Sequence, residues 1–202
     1  MDTAPANLQV ITPADWVPGP KQGDWTYNEY LTLPDNGKRY EIANGVLLST
    51  PPSTGSHQDT IGEVFFHLRS HVKLAGLGLV IQAPFIVQLS SKDVFLPDIF
   101  VVMNAHQDRI QEKNVVGAPD LVVEVSTAGT AAFDRLTRYD TYEYSGVLEY
   151  WILNLERLTV EVFVLDGDEY HSQGVFHGEQ KVPSQLISWL SVRVDQFFML
   201  RK

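Results

Sequence analysis

Two carboxylates stand in runs of residues that otherwise belong in buried strands. Asp98 lies in Leu96-Pro97-Asp98-Ile99-Phe100-Val101-Val102, and Glu124 lies in Pro119-Asp120-Leu121-Val122-Val123-Glu124-Val125-Ser126. Short runs of Val, Ile, Leu and Phe predict strands. A charge inside such a run is costly unless it is paired or bound to a metal. Two adjacent strands that each present one acid would make an all-oxygen site for a hard cation such as Mg2+. In a phosphodiester hydrolase the cation polarises the phosphate and lowers the pKa of the attacking water. A cationic side chain nearby would orient that water or stabilise the developing charge. The competing reading puts both acids at strand ends, as caps or surface ion pairs.

Other chemistries find little support. There is no Gly-rich phosphate loop followed by Lys-Ser/Thr, and no Gly-x-Ser-x-Gly nucleophile elbow. The six histidines, His57, His67, His71, His106, His171 and His177, form no metalloprotease signature. His67 and His71 share a helix face, which reads as a solvated face rather than a zinc site. Zero cysteines exclude disulfides, thiolate nucleophiles and Cys-based metal sites.

The elements that must position the acids follow from periodicity and turn chemistry. Trp25 to Leu33 predicts a short helix, with Thr26 as N-cap and Glu29 completing a capping box. Arg39 to Ser49 predicts a hairpin around the Asn44-Gly45 turn. His57 to Gly76 is the clearest helix, with Ile61, Val64, Phe65, Leu68 and Val72 at helical spacing. Leu79 to Leu89 reads as a strand pair, or as one strand bent at Pro84, and leads through a turn to the Asp98 strand. A polar connection from His106 to Val116 precedes the Glu124 strand. Phe133 to Ser145 predicts a second helix stopped at Gly146, followed by strands at Glu149–Asn154 and Leu158–Leu165. Weak strand signals run from Tyr170 to Val182, and Ile187 to Leu200 closes the domain. The order gives an α/β fold with a mixed sheet flanked by helices.

With 202 residues, 44% hydrophobic and 20% charged, the chain suits one globular domain, residues 25–202, behind a Pro-rich lead-in at 1–24. No apolar run approaches the roughly 20 residues needed to cross a bilayer. Met1 to Ala6 lacks the basic start and apolar run of a signal peptide, so the expected location is cytoplasmic. The formal charge of -10 argues against a broadly basic nucleic-acid surface. It does not argue against a nuclease, whose metal site needs carboxylates. A basic strip from Lys38, Arg39, Arg135, Arg138 and Arg157 beside the acids would support contact with nucleic acid.

Five motifs carry a resemblance. Tyr40-Glu41-Ile42-x-x-Gly45, Ser56-His57-Gln58, Pro97-Asp98, Gly117-Ala118-Pro119-Asp120-Leu121-Val122-Val123-Glu124-Val125 and Gly146-Val147-x-Glu149-Tyr150-Trp151 occur in this order. Together they resemble the Uma-two family, a restriction endonuclease-like branch of the PD-(D/E)XK nuclease superfamily, from about Trp25 to Leu165. The resemblance implies a mixed central sheet with helices on both sides, hydrolysis of DNA phosphodiesters with Mg2+ or Mn2+, and homodimers. By position it implies Asp98 and Glu124 as metal ligands, with Glu41 completing the metal shell. It also places His57 and Gln58 at the mouth of the site.

The chain departs from the pattern at informative points. Ser126 stands where the superfamily has Lys, two residues after the acid. In the Uma-two branch that Lys moves to the next helix; here Asp134-Arg135-Leu136-Thr137-Arg138 puts Arg138 in its place. Arg keeps the charge and clamps phosphate bidentately, but it cannot act as a base. Val46 occupies a position where the family often carries an acid. The expected catalytic set is therefore Glu41, Asp98, Glu124 and Arg138, with His57, Gln58 and Arg135 toward substrate. The rival expectation is an impaired nuclease fold that serves as a nucleic-acid-binding or protein-interaction module, with Arg138 in a helix-surface ion pair to Asp134.

Overall fold

A computed structural model describes residues 10–198. The expectations for residues 1–9, the missing signal peptide included, and for the stretch from Met199 lie outside the described residues.

The chain opens with a two-residue strand, β1 (Thr12–Pro13), and one helical turn, α1 (Tyr27–Tyr30). The Thr26 N–H donates to Glu29 Oε2 at 3.0 Å, within the predicted capping box. The hairpin β2 (Arg39–Ala43) and β3 (Val46–Thr50) turns at Asn44 and Gly45, whose φ values are 49° and 74°. Both are left-handed, as a type I′ turn requires. Helix α2 (Gly55–Leu68) is capped by Thr54, whose side chain accepts from the His57 N–H, and it runs on through a π-helical turn at Arg69–Lys73. Next come β4 (Gly78–Gln82), β5 (Ile86–Gln88), β6 (Val94–Phe95), β7 (Ile99–Met103), β8 (Asn114–Val116) and β9 (Leu121–Ser126). A short helix α3 (Ala131–Phe133) passes through a second π-helical turn, Asp134–Arg138, into α4 (Tyr139–Ser145), which ends on a left-handed Gly146. The last strands are β10 (Glu149–Asn154), β11 (Thr159–Asp166) and β12 (Glu169–His177).

These strands form two six-stranded sheets, β1-β3-β2-β6-β5-β8 and β12-β11-β10-β9-β7-β4. The second is the mixed central sheet: β9 and β10 run parallel, joined by the α3–α4 crossover, and its other pairs are antiparallel. The separate first sheet is a finding beyond the sequence reading. The predicted Leu79–Leu89 pair divides between the two, β4 joining the central sheet and β5 the other. The lead-in also contributes more than its composition suggests. Thr12 pairs with Ser49, and Ala14 is buried in a cluster with Trp25, Tyr40, Ile42 and Leu47 of the domain.

Strand alternation splits the central sheet into two apolar faces. Val101, Val123, Val125, Trp151 and Leu153 pack against Ile61, Val64 and Leu68 of α2. Phe100, Val122, Tyr150 and Phe163 meet Tyr142 of α4 and Val87, Phe95 and Val115 of the first sheet. The layers are therefore α2, the central sheet, and then α4 with the first sheet.

Candidate active site

Register brings the two predicted acids together. Ile99 pairs with Val123 across β7 and β9, so Asp98 and Glu124 are the next residues facing one another. The Asp98 N–H donates to Glu124 Oε2 at 3.4 Å, and the Val125 N–H donates to Asp98 Oδ2 at 2.9 Å. Glu124 belongs to the face that α4 covers. Glu41 arrives from β2 of the other sheet, its Oε1 accepting the Leu96 N–H at 3.0 Å.

The fourth predicted residue joins them. Arg138 ends the second π-helical turn, a widened geometry common at functional sites. Its Nη2 donates to both oxygens of Glu41, at 2.9 and 2.8 Å, and its Nη1 donates to Asp134 Oδ1 at 2.6 Å. Its Nε lies 3.3 Å from Glu124 Oε1 as an ion pair without hydrogen-bond geometry. One turn on, the Tyr142 hydroxyl donates to the same Glu124 oxygen at 2.8 Å. The Asp134 ion pair anticipated as the alternative role of Arg138 is present, but it is buried and is one of three. Glu41, Glu124 and Asp134 are each 1% exposed, Arg138 6% and Asp98 7%.

Burying four carboxylates around one guanidinium has electrostatic consequences. Burial raises the pKa of Glu124 well above its usual range. Arg138 opposes that rise, and the neighbouring Asp98, Asp134 and Glu41 reinforce it. Burial pushes Asp98 up too, but the hydrogen bond and charge of His57, the Val125 N–H and Arg138 together hold it below the usual value. For Arg138 burial works against the charge, and Glu124, Glu41 and Asp134 more than reverse it, so the guanidinium is held firmly protonated. Even with a proton on Glu124, the cluster carries more negative than positive charge.

Asp98, Glu41, Arg138 and His57 border a cavity of about 300 Å³, with Thr50–Thr54 and Thr127–Thr130 along its walls. His57, at the start of α2, places Nε2 3.3 Å from Asp98 Oδ2, and its buried Nδ1 has no partner. Glu124 and Asp134 lie behind this lining. Gln58 is exposed and does not border the cavity. Arg135 also stands outside it and pairs with Glu161 of β11. Of the expected basic strip, Arg138 is buried, Lys38 lies over the Trp16 ring at 4.9 Å, and Arg39 lines the cavity.

The carboxyl oxygens of the cluster are the donor type a hard divalent cation takes, and Asp134 Oδ2 and Ser126 Oγ are buried without partners. The guanidinium stands where Glu41, Glu124 and Asp134 meet. Among the described residues no three acidic or histidine side chains form a ready cation cage. Glu41, expected to complete a metal shell, spends both oxygens on Arg138. Sequence reasoning passed over Tyr142 as a site residue. Its spacing of four from Arg138, and of eight from Asp134, was the available signal, because those positions share a helix face.

Comparison with known proteins agrees with this fold. The sequence model of a family described as "Uma2: Putative restriction endonuclease" matches residues 27–195. Among solved structures, the fold is similar to a protein described as a putative nuclease belonging to DUF820 from Anabaena variabilis. The TM-score is 0.72 at 20% identity, and the match covers 86% of this chain and 97% of that one. No curated protein matches.

Proposed function

Because the chain belongs to the Uma2 family of restriction endonuclease-like proteins, we propose that it hydrolyses DNA phosphodiesters with a divalent cation, Mg2+ or Mn2+, held by Asp98 and Glu124. One observation carries this reading: four buried carboxylates gather against one guanidinium beside a cavity, an arrangement short of positive charge. The cation would supply Lewis acidity and an activated water. Glu41 and Asp134 fix Arg138, whose charge faces the acids and the cavity. His57 is held by Asp98 at the rim, where its imidazole meets the incoming backbone.

A second reading has its own support. Arg138 satisfies three of the acids without any metal, so the cluster could serve as a structural ion network in a nucleic-acid-binding module.

Mn2+ calorimetry on the parent, Asp98→Ala and Glu124→Ala separates the two. The nuclease reading expects binding by the parent, loss in both variants, and Mg2+-dependent cleavage of labelled DNA that falls at least about a hundredfold in Asp98→Ala. A parent that binds no cation and leaves DNA intact would favour the ion-network reading.

A further inference from the structure

We infer that Arg39 forms a second phosphate site, one nucleotide step from the carboxylate cluster, so that the cavity takes two successive phosphates of a nucleic-acid strand. The inference rests on the proposed nuclease reading and deepens it. Arg39 and Glu41 are two residues apart on β2 and so share a face, while Tyr40 between them turns into the Trp25 cluster. The alternation that delivers Glu41 to Arg138 therefore delivers Arg39 to the same cavity, about 7 Å along the strand.

The state of the side chain sets it apart from the other arginines of the region. Arg138 is committed to three carboxylates and Arg135 to Glu161. Arg39 is half-buried, and one of its nitrogens, Nη2, donates to the Leu96 carbonyl at 3.3 Å. Its Nε is buried with no acceptor. A guanidinium has five donors in a planar fork that matches phosphate oxygens, and leaving buried donors unmet is costly. A phosphate drawn into the fork would supply the acceptor that Nε lacks. The start of α2, at Thr54 and His57, also lines the cavity, and a helix N-terminus favours negative charge. The ligand class is thus a chain of phosphates, the first at the acids through a cation and the next at Arg39.

The test uses deoxythymidine 3′,5′-bisphosphate, which carries two phosphates on one nucleoside and no diester to cut, against thymidine 5′-monophosphate. Both are titrated by calorimetry into the Mn2+-loaded full chain and into the chain in EDTA. The parent should prefer the bisphosphate. Arg39→Gln should lose about tenfold in bisphosphate affinity and bind both ligands alike, with Mn2+ affinity unchanged. Arg39→Lys should fall between, since it keeps charge but loses the fork. Should Arg39→Gln fold poorly, bisphosphate protection of Arg39 from phenylglyoxal in the parent, read by mass spectrometry, gives the same answer. Equal affinity of parent and Arg39→Gln, no bisphosphate preference in the parent, or no protection would overturn the inference. If the parent binds no Mn2+, the nuclease reading fails by itself. The EDTA titration then decides Arg39 separately: Arg39-dependent binding keeps the phosphate site, and its absence ends it.

Discussion

Arg138 is the residue on which the site depends. It compensates three buried carboxylates, and removing one partner of such a network leaves uncompensated charge in the interior. Arg138→Met should cost about 3–5 kcal/mol at neutral pH in urea denaturation. Arg138→Lys, which restores the charge without the planar fork, should recover part of that loss. Glu124 makes the complementary point. Because burial raises its folded pKa, the unfolded chain releases this proton first as pH climbs past the ordinary Glu range, and folding is penalised increasingly until the folded pKa is reached. Asp98 runs the other way: its lowered pKa contributes stability that is present above the ordinary Asp range and is lost as pH falls through the folded value. Replacing Glu124 by Gln removes the first effect. The stability difference between Glu124→Gln and the parent should therefore move in favour of the variant as pH rises above the ordinary Glu range. A pH-independent difference would contradict the assignment of the proton to Glu124.

At the scale of elements, the β2–β3 hairpin and the π-helical turn do the positioning. Gly45 adopts φ 74°, and a Cβ there would run into the Gly23 carbonyl. Its own carbonyl accepts the N–H groups of Gly23 and Trp25, at 2.8 and 3.0 Å, so the turn also fastens the preceding segment. Gly45→Ala should cost about 1–3 kcal/mol and loosen Glu41 with it. Thermal melts read the first effect, and reduced Mn2+ affinity, on the proposed function, reads the second. The π-helical turn adds a residue between α3 and α4 and lets Asp134, Arg138 and Tyr142 all reach the strands beneath. No period analysis distinguishes such a turn from ordinary helix, because the side-chain pattern on either side remains helical.

At the scale of the molecule, the site lies where the two sheets meet. Glu41 belongs to one sheet, Glu124 to the other with Asp98 just ahead of β7, and Arg138 to the crossover helix that touches both. The ion network is consequently a tie between layers as well as a candidate centre. Glu41→Ala should leave the central sheet folded while weakening the tie. In hydrogen exchange, amides of β2 and β3 should then exchange faster relative to those of β9 and β10 than they do in the parent. Uniform acceleration in both sheets would show the two to be one cooperative unit without a distinct seam.

Much of this was legible in residue order. Asp98 and Glu124 were visible as charges in apolar strand runs, the Asn44-Gly45 turn announced its hairpin, and the spacing of Ile61, Val64 and Leu68 announced α2. These are local signals, set by periodicity, turn geometry and the cost of burying charge. Chain order and motif resemblance also pointed to Glu41 and Arg138. The structure alone decided that Arg138 stands among the acids, that Tyr142 donates to Glu124, and that Arg39 is left with an unmet Nε donor beside the cavity. It also decided that β4 and β5, adjacent in the chain, belong to different sheets. Those outcomes depend on contacts between residues as many as 97 positions apart, as Glu41 and Arg138 are. Local propensity carries no record of which distant charge will compensate a buried one; packing of the two sheets against the crossover helix makes that choice.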